Sequence, residues 1–269
     1  MNPFTIHGTR GTMPVTGRNF SRHGGHTTCF SLKTRQGVIV VDAGTGIISL
    51  SDHLAKLPTL PPVTILFTHF HLDHVIGLPL FKPLYQPQAR ITLRADRRTS
   101  HWSQSLKTLI APPYWPVNLT DCQAGIRFQN LPSSRTALQM DDVHVSWCPI
   151  RHPQHCLAYR LDTSKKSIVI ATDYEPGNRS LDERFRQFCL GADILILDAQ
   201  YTPQEAAAHR GWGHGTWREA ARMATATNVG ELILTHHNRY RTDAQIDAMV
   251  KAARRYFPRT RAAHDGMTL

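Results

Sequence analysis

The chain has 269 residues, of which 41% are hydrophobic, with 17 Gly, 17 Pro and 16 His. That composition is ordinary for a folded protein and excludes the disordered, collagen-like and fibrous classes. Thirty-one Lys and Arg against 20 Asp and Glu give a formal charge of +11, which favours anionic partners such as nucleic acid, nucleotides and phosphate esters but equally suits a solvated basic surface.

In chain order, the start MNPFTIHGTRG has neither the basic head nor the apolar stretch of a secretory leader, so cytoplasmic residence is the default expectation. Two glycine-rich turns follow, His7-Gly8-Thr9-Arg10-Gly11 and Arg22-His23-Gly24-Gly25-His26-Thr27. Glycine permits sharp turns, and cationic turns of this kind can also approach phosphate. Apolar runs at 38–42 and 63–67 have the length of strands covered on both faces. The stretch 85–135 carries Pro87, Pro112, Pro113, Pro116 and Pro132 with Trp102, Tyr114 and Trp115. It reads as a long excursion, either a connector or a cover over a site or a subunit contact.

Further strands are expected at 143–147, 168–172, 193–198 and 231–235, and helices at 180–189, 216–226 and 243–257. In the last helix Ile246, Met249, Val250, Ala253 and Phe257 share one face, with Thr242 placed to cap it and Pro258 to stop it. The order predicts an α/β protein with sheets inside and helices outside. No repeat or linker divides it, so residues 1–269 are expected to form a single domain. No apolar run approaches the ~18–20 residues of a membrane-spanning helix, so no membrane partner is expected. Cys29, Cys122, Cys148, Cys156 and Cys189 form no Cys-x-x-Cys pair, which argues for buried thiols rather than disulfides or a zinc ribbon.

The chemistry concentrates at His69-Phe70-His71-Leu72-Asp73-His74, directly after the strand at 63–67. His69 and His71, two apart in extended backbone, point to one side, while Asp73 and His74 come round on the following turn. One short segment can therefore serve two metal ions.

This segment resembles the His-x-His-x-Asp-His signature of the metallo-β-lactamase superfamily, and further motifs agree in order. Asp42-Ala43-Gly44-Thr45-Gly46 precedes it; His152, Asp173 after Ala171-Thr172, and His236 after Leu234-Thr235 follow. The resemblance implies an αββα sandwich, two mixed sheets flanked by helices, with the site at one edge. It implies a dinuclear centre in which His69, His71 and His152 hold one metal, Asp73, His74 and His236 the other, and Asp173 bridges them. Asp42 is then a support rather than a ligand. His152 is favoured over His155 by spacing, and His237 is left an auxiliary or surface role. Such donors suit two divalent ions, Zn²⁺ first and Mn²⁺ or Fe as alternatives.

Gly211-Trp212-Gly213-His214-Gly215-Thr216 is similar to the Gly-His-Ser-Thr element of the superfamily's phosphodiesterase branch, with Gly215 in place of Ser. That branch includes the tRNA 3′-end-processing nuclease tRNase Z and the accessory cyclic phosphodiesterase of carbon–phosphorus lyase pathways. The likeness implies that His214, oriented by Asp198, protonates the leaving oxygen while a hydroxide bridging the metals attacks phosphorus. Asp73 belongs to both the catalytic and the ligand set. Thr216 is placed to cap a helix whose N-terminus faces phosphate. The Gly-rich turn around His26 resembles a Gly-Gly-Asn-Thr segment of relatives, and Asp265-Gly266-Met267 a segment near their site.

The expected function is a metal-dependent hydrolase, foremost a phosphodiesterase of a cyclic nucleotide or small cyclic phosphodiester. Only 20 residues separate His152 from Asp173, too few for the flexible tRNA arm of the nuclease relatives, although the basic charge keeps an oligonucleotide as a candidate partner. The alternatives are hydrolysis of a lactone, thioester or β-lactam, and a non-catalytic metal-binding sensor. A homodimer accords with the family likeness alone.

Overall fold

The computed structural model describes residues 4–132 and 137–269. Among them, β1 (Phe4–Gly8), β2 (Cys29–Lys33), β3 (Val38–Val41), β4 (Val63–Leu66), β5 (Arg90–Ala95), β6 (Gly125–Asn130) and the short β14 (Met267–Thr268) form one sheet in the order β14-β1-β2-β3-β4-β5-β6. The second sheet holds β7 (Ala137–Met140), β8 (Val143–Ile150), β9 (Cys156–Asp162), β10 (Ser167–Ala171), β11 (Ile194–Asp198), β12 (Glu231–Thr235) and β13 (Thr260–Ala262) in the order β13-β12-β11-β10-β9-β8-β7. Both are mixed. Strands β3 to β6 run parallel, as do β10 to β13, and the other pairings are antiparallel.

The continuous apolar runs have a physical reason. Successive side chains of a strand point to opposite faces, and here both faces are covered. Ile39, Val41 and Leu66 meet Ile170, Ile196 and Ile233 between the sheets. The alternate residues Val40 and Ile65 pack outward against Ile47, Leu50 and Leu54 of α1 (Ile47–Leu54) and Trp102 and Leu106 of α2 (Trp102–Leu109). Leu195, Leu197, Leu232 and Leu234 pack outward against α3 (Arg179–Cys189), α4 (Trp217–Thr227) and α5 (Asp243–Ala253). The result is the expected αββα sandwich. Each such side chain contributes roughly 1.5–3 kcal/mol when fully buried.

Thr216 and Thr242 cap α4 and α5 through reciprocal capping boxes with Glu219 and Gln245, as the sequence predicts. The α5 segment ends at Ala253 rather than 257, although the Phe257 amide still bonds to the Ala253 carbonyl and keeps Phe257 buried. The stretch 85–135 departs most from expectation. It carries β5, α2 and β6, two of which extend the first sheet. Proline-rich turns between these elements hide them, because β5 alternates Ile91, Leu93 and Ala95 with polar residues over only six positions. Residues 133–135 of that stretch, and the first three of the chain, lie outside the described residues. None of the five cysteines is paired, and only Cys122 is not buried. Among the described residues no helix is long and apolar enough to cross a membrane.

Candidate metal centre

The candidate ligands lie where strands end, at one edge of the two sheets. Asp42 follows β3, the 69–74 segment follows β4, His152 follows β8, Asp173 follows β10, Asp198 closes β11 and His236 follows β12. In open α/β sheets the carboxyl ends of parallel strands are where side chains leave the ladders and can converge on a ligand. His69, His71, His152 and Asp173 form one group whose donor atoms all lie within 4.8 Å of one another, and Asp73, His74 and His236 form a second. Asp173 stands between them. Its Oδ1 is 3.9 Å from His69 Nε2 and 3.8 Å from His152 Nε2, while its Oδ2 is 3.1 Å from His74 Nε2 and 3.5 Å from His236 Nε2.

The rings are held from behind. Thr68 donates to Asp42 through its backbone N–H and its hydroxyl, each at 2.8 Å, and Asp42 in turn accepts from His74 Nδ1 at 2.8 Å. His69 Nδ1 lies 3.0 Å from Thr68 Oγ1, and His152 Nδ1 donates to the Gly213 carbonyl at 3.0 Å. These partners fix the tautomers so that the Nε2 lone pairs of His69, His74 and His152 face the cluster, the usual outer arrangement of metal-ligating imidazoles. His71 brings Nδ1 to 3.0 Å from His152 Nε2. The Thr12 amide donates to Asp73 Oδ2 at 2.7 Å. Asp42 and His236 both adopt left-handed backbone, φ 61° and 57°, a conformation that costs non-glycine residues of order 1–3 kcal/mol and clusters at functional sites.

A divalent cation fits this donor set. His69 Nε2, His74 Nε2 and Asp173 Oδ2 are buried without an aligned hydrogen-bond partner, a costly state that coordination would relieve. The charges make the same case. Burial pushes Asp173 up, but His236, His74 and His69 together hold it well below the carboxylate range. Burial opposes a proton on His74 and His236, yet Asp73, Asp173 and their neighbours hold His74 well above its ordinary value and His236 up to about 9. Protons there balance the two carboxylates, a task a metal ion performs while freeing the ring lone pairs.

His214 stands beside this cluster, its Nδ1 3.8 Å from Asp173 Oδ1 and 2.8 Å from Asp198 Oδ2. Asp198 is buried, and burial raises its pKa against the pull of His214. The cluster opens into a cleft of about 710 Å³ lined by His71, Asp73, Asp173, His214 and His236 together with Tyr201, Trp212 and Tyr240.

The sequence profile described as "Beta-lactamase superfamily domain" matches residues 38–237. The chain belongs to the β-lactamase superfamily. A Ribonuclease Z of Bradyrhizobium sp. (strain ORS 278) is 30% identical over 287 residues, spanning 84% of this chain and 88% of that protein. Two solved structures share the fold. A diphosphatase of the PhnP family superposes with a TM-score of 0.72 at 19% identity, over 100% of this chain and 97% of that one. Human tRNase Z, short form, superposes with a TM-score of 0.70 at 16% identity, over 99% and 98%. With these relatives the chain stands in the phosphodiesterase branch of the superfamily, as a metal-dependent hydrolase.

Other sequence candidates of this superfamily member fall outside the cluster. His155 pairs with Asp96 at 2.9 Å, which leaves His152 at motif three. His237 is fully buried, not a surface residue; its Nε2 lies 3.3 Å from the Ala263 carbonyl and its backbone pairs with Thr9 and Gly11. Arg10 is likewise wholly buried and donates to the carbonyls of Gly24 and Arg241 at 2.8 and 2.7 Å, so it is a structural tie and not a phosphate contact. In the turn around His26, the amides of Gly25 and His26 already donate to Asp265 Oδ2 at 2.9 and 3.0 Å. That carboxylate occupies the cradle a phosphate would need, and it gives Asp265 its role.

One residue that shapes the site gave no signal in the sequence. Glu175, two residues after Asp173, accepts from the amides of Gly211 and Gly213, each at 2.8 Å. It thereby holds the loop that presents both His214 and the Gly213 carbonyl. Gly213 has φ +89°, and a methyl group built on it would lie 2.1 Å from His152 Nδ1, so only glycine fits. A lone carboxylate that bonds backbone amides 36 and 38 positions away leaves no spacing pattern to read.

Proposed function

We propose that this chain is a two-metal phosphodiesterase acting on a small, cyclic phosphodiester. The observation that carries the reading is the His214–Asp198 pair at 2.8 Å beside the ligand cluster. Departure of an alkoxide from phosphorus needs a proton, and an imidazole oriented by a carboxylate can give one near neutral pH. His214 donates Nδ1–H to Asp198, and in the cationic ring, which that carboxylate balances, Nε2–H is the proton that passes to the leaving oxygen, returning the ring to its neutral form.

His69, His71 and His152 would hold one ion, Asp73, His74 and His236 the other, and Asp173 both; imidazole and carboxylate donors suit Zn²⁺. When bound, the pair would supply a water-derived nucleophile at neutral pH and neutralise charge on the phosphate. The remaining work falls to the chain. Asp42, Thr68 and the Gly213 carbonyl orient the rings, and the Thr12 amide steadies Asp73. The small-substrate reading is supported by what fills the span from His152 to Asp173: the hairpin of β9 and β10 takes it up, leaving no room for an RNA-binding arm.

The test is turnover by the metal-loaded protein of a 2′,3′-cyclic nucleotide, bis-p-nitrophenyl phosphate, a lactone and nitrocefin. Hydrolysis of the first two alone is expected. Turnover confined to the lactone or nitrocefin would overturn the reading, and no turnover of any with both ions bound would favour a sensor.

A further inference from the structure

A row of rings leads outward from His214 along the cleft wall. Tyr201 meets His214 edge-on with centroids 6.0 Å apart, His209 stacks on Tyr201 at 4.2 Å and 19°, and Trp212 meets His209 edge-on at 5.0 Å and 86°. Tyr201 is buried, and His209 Nδ1 is tied to the Glu205 carbonyl at 2.9 Å. The buttressed Trp212 nevertheless remains 60% exposed. Tyr240, on the turn after β12, lines the same cleft and is 75% exposed, with the Arg239 guanidinium 5.0 Å from its ring centroid.

The rings behind Trp212 hold the indole in place, and its exposure leaves it available to a ligand in the cleft. The carboxylate behind the Trp212 loop, Glu175, is taken up by the Gly211 and Gly213 amides and by Arg151. The only acids lining the cleft are Asp73 and Asp173, both in the ligand cluster, and no carboxylate pairs with Arg239 among the described residues. Arg239 Nε is buried without a hydrogen-bond partner. An indole fixed by the rings behind it, in one cleft with a tyrosine that carries a guanidinium on its ring, matches one ligand chemistry well: a flat heterocycle attached to a phosphate. Bases stack on such faces whatever their identity, while the cation meets the phosphate.

Resting on the phosphodiesterase reading, we propose that Trp212 and Tyr240 form a base-stacking subsite, assisted by Arg239, and that the substrate is therefore a nucleotide and not a base-free sugar phosphate. The volume of about 710 Å³ lies in the range of pockets that hold one small molecule. This assigns selectivity to the loop that carries His214 and to the turn after His236. A substrate's base would thus be gripped by the same segments that present the proton donor and a ligand.

The experiment compares a 2′,3′-cyclic nucleotide with the corresponding ribose cyclic phosphate lacking the base, in the metal-loaded wild type, Trp212→Ala, Trp212→Phe and Tyr240→Ala. A lost stacking contact is expected to raise KM for the nucleotide about tenfold more than KM for the base-free compound. Trp212→Phe should restore part of the difference, and Tyr240→Ala, on a separate turn, should show the same selectivity. Equal changes for both compounds, or none for either, would overturn the proposal. A second readout is independent of turnover. AMP should quench the tryptophan fluorescence of the wild type, ribose 5-phosphate should not, and Trp212→Phe should lose the AMP effect. If the wild type cleaves neither compound, the phosphodiesterase reading fails, and the quenching alone then decides the subsite: an AMP effect that survives in Trp212→Phe, or none in the wild type, contradicts it.

Discussion

At the scale of single residues, His74 and His214 are both backed by a carboxylate, Asp42 and Asp198, so what distinguishes His214 is its place at the rim of the cluster. His69, His74 and His152 are tied at Nδ1 to Thr68, Asp42 and the Gly213 carbonyl, while His214 is tied to Asp198. A ring backed by a carboxylate and standing at the rim of the cluster is suited to proton transfer, so His214→Ala is expected to lower phosphodiester turnover by ~10²-fold or more. Metal content measured on the same sample should match the wild type. Unchanged turnover would remove His214 from the reaction. Loss of an ion would make it a ligand instead, a role its place beside Asp173 and His236 allows. The six consecutive positions 69–74 made this chemistry legible, because adjacent ligands leave a pattern in the sequence. The roles of Arg10 and His237 were not legible, since the burial that makes them structural comes from β-bridges and carbonyls far along the chain.

At the scale of elements, the loop 211–213 joins His152, which bonds the Gly213 carbonyl, to the adjacent His214. Its conformation does not rest on its own sequence alone: Glu175 supplies the acceptor for two of its amides, and both flanking glycines have positive φ. Glu175→Ala leaves those amides without their acceptor, which costs about 1–3 kcal/mol for each group left unsatisfied. Turnover is expected to fall about tenfold, with faster hydrogen exchange at Gly211 and Gly213, while Glu175→Gln, which keeps one carbonyl acceptor, falls in between. Exchange and rate both equal to wild type would show that the loop supports itself. Continuous apolar runs and a strong helical period were readable from sequence, as β10, β11 and β12 show for the first and α5 for the second. Strands β5 and β6 were not, because β6 alternates only weakly and is partly exposed at the sheet edge, and prolines dominate the residues between.

At the scale of the molecule, neither sheet could build the centre alone. The first sheet brings Asp42 and the 69–74 segment, the second brings His152, Asp173, Asp198 and His236, and the apolar layer between them sets their separation. Buried imidazoles and carboxylates cost free energy unless something satisfies them. The fold class was legible because doubly covered strands must be apolar throughout. Which faces meet was not, since that depends on pairing across the whole chain. The claim on which the function rests is that the two sheets close around two ions that share Asp173. Anomalous diffraction at the zinc edge from zinc-soaked crystals tests it directly: one peak is expected within the group of His69, His71 and His152 and a second within that of Asp73, His74 and His236. A single peak, no peak, or zinc bound only at other residues would contradict the account.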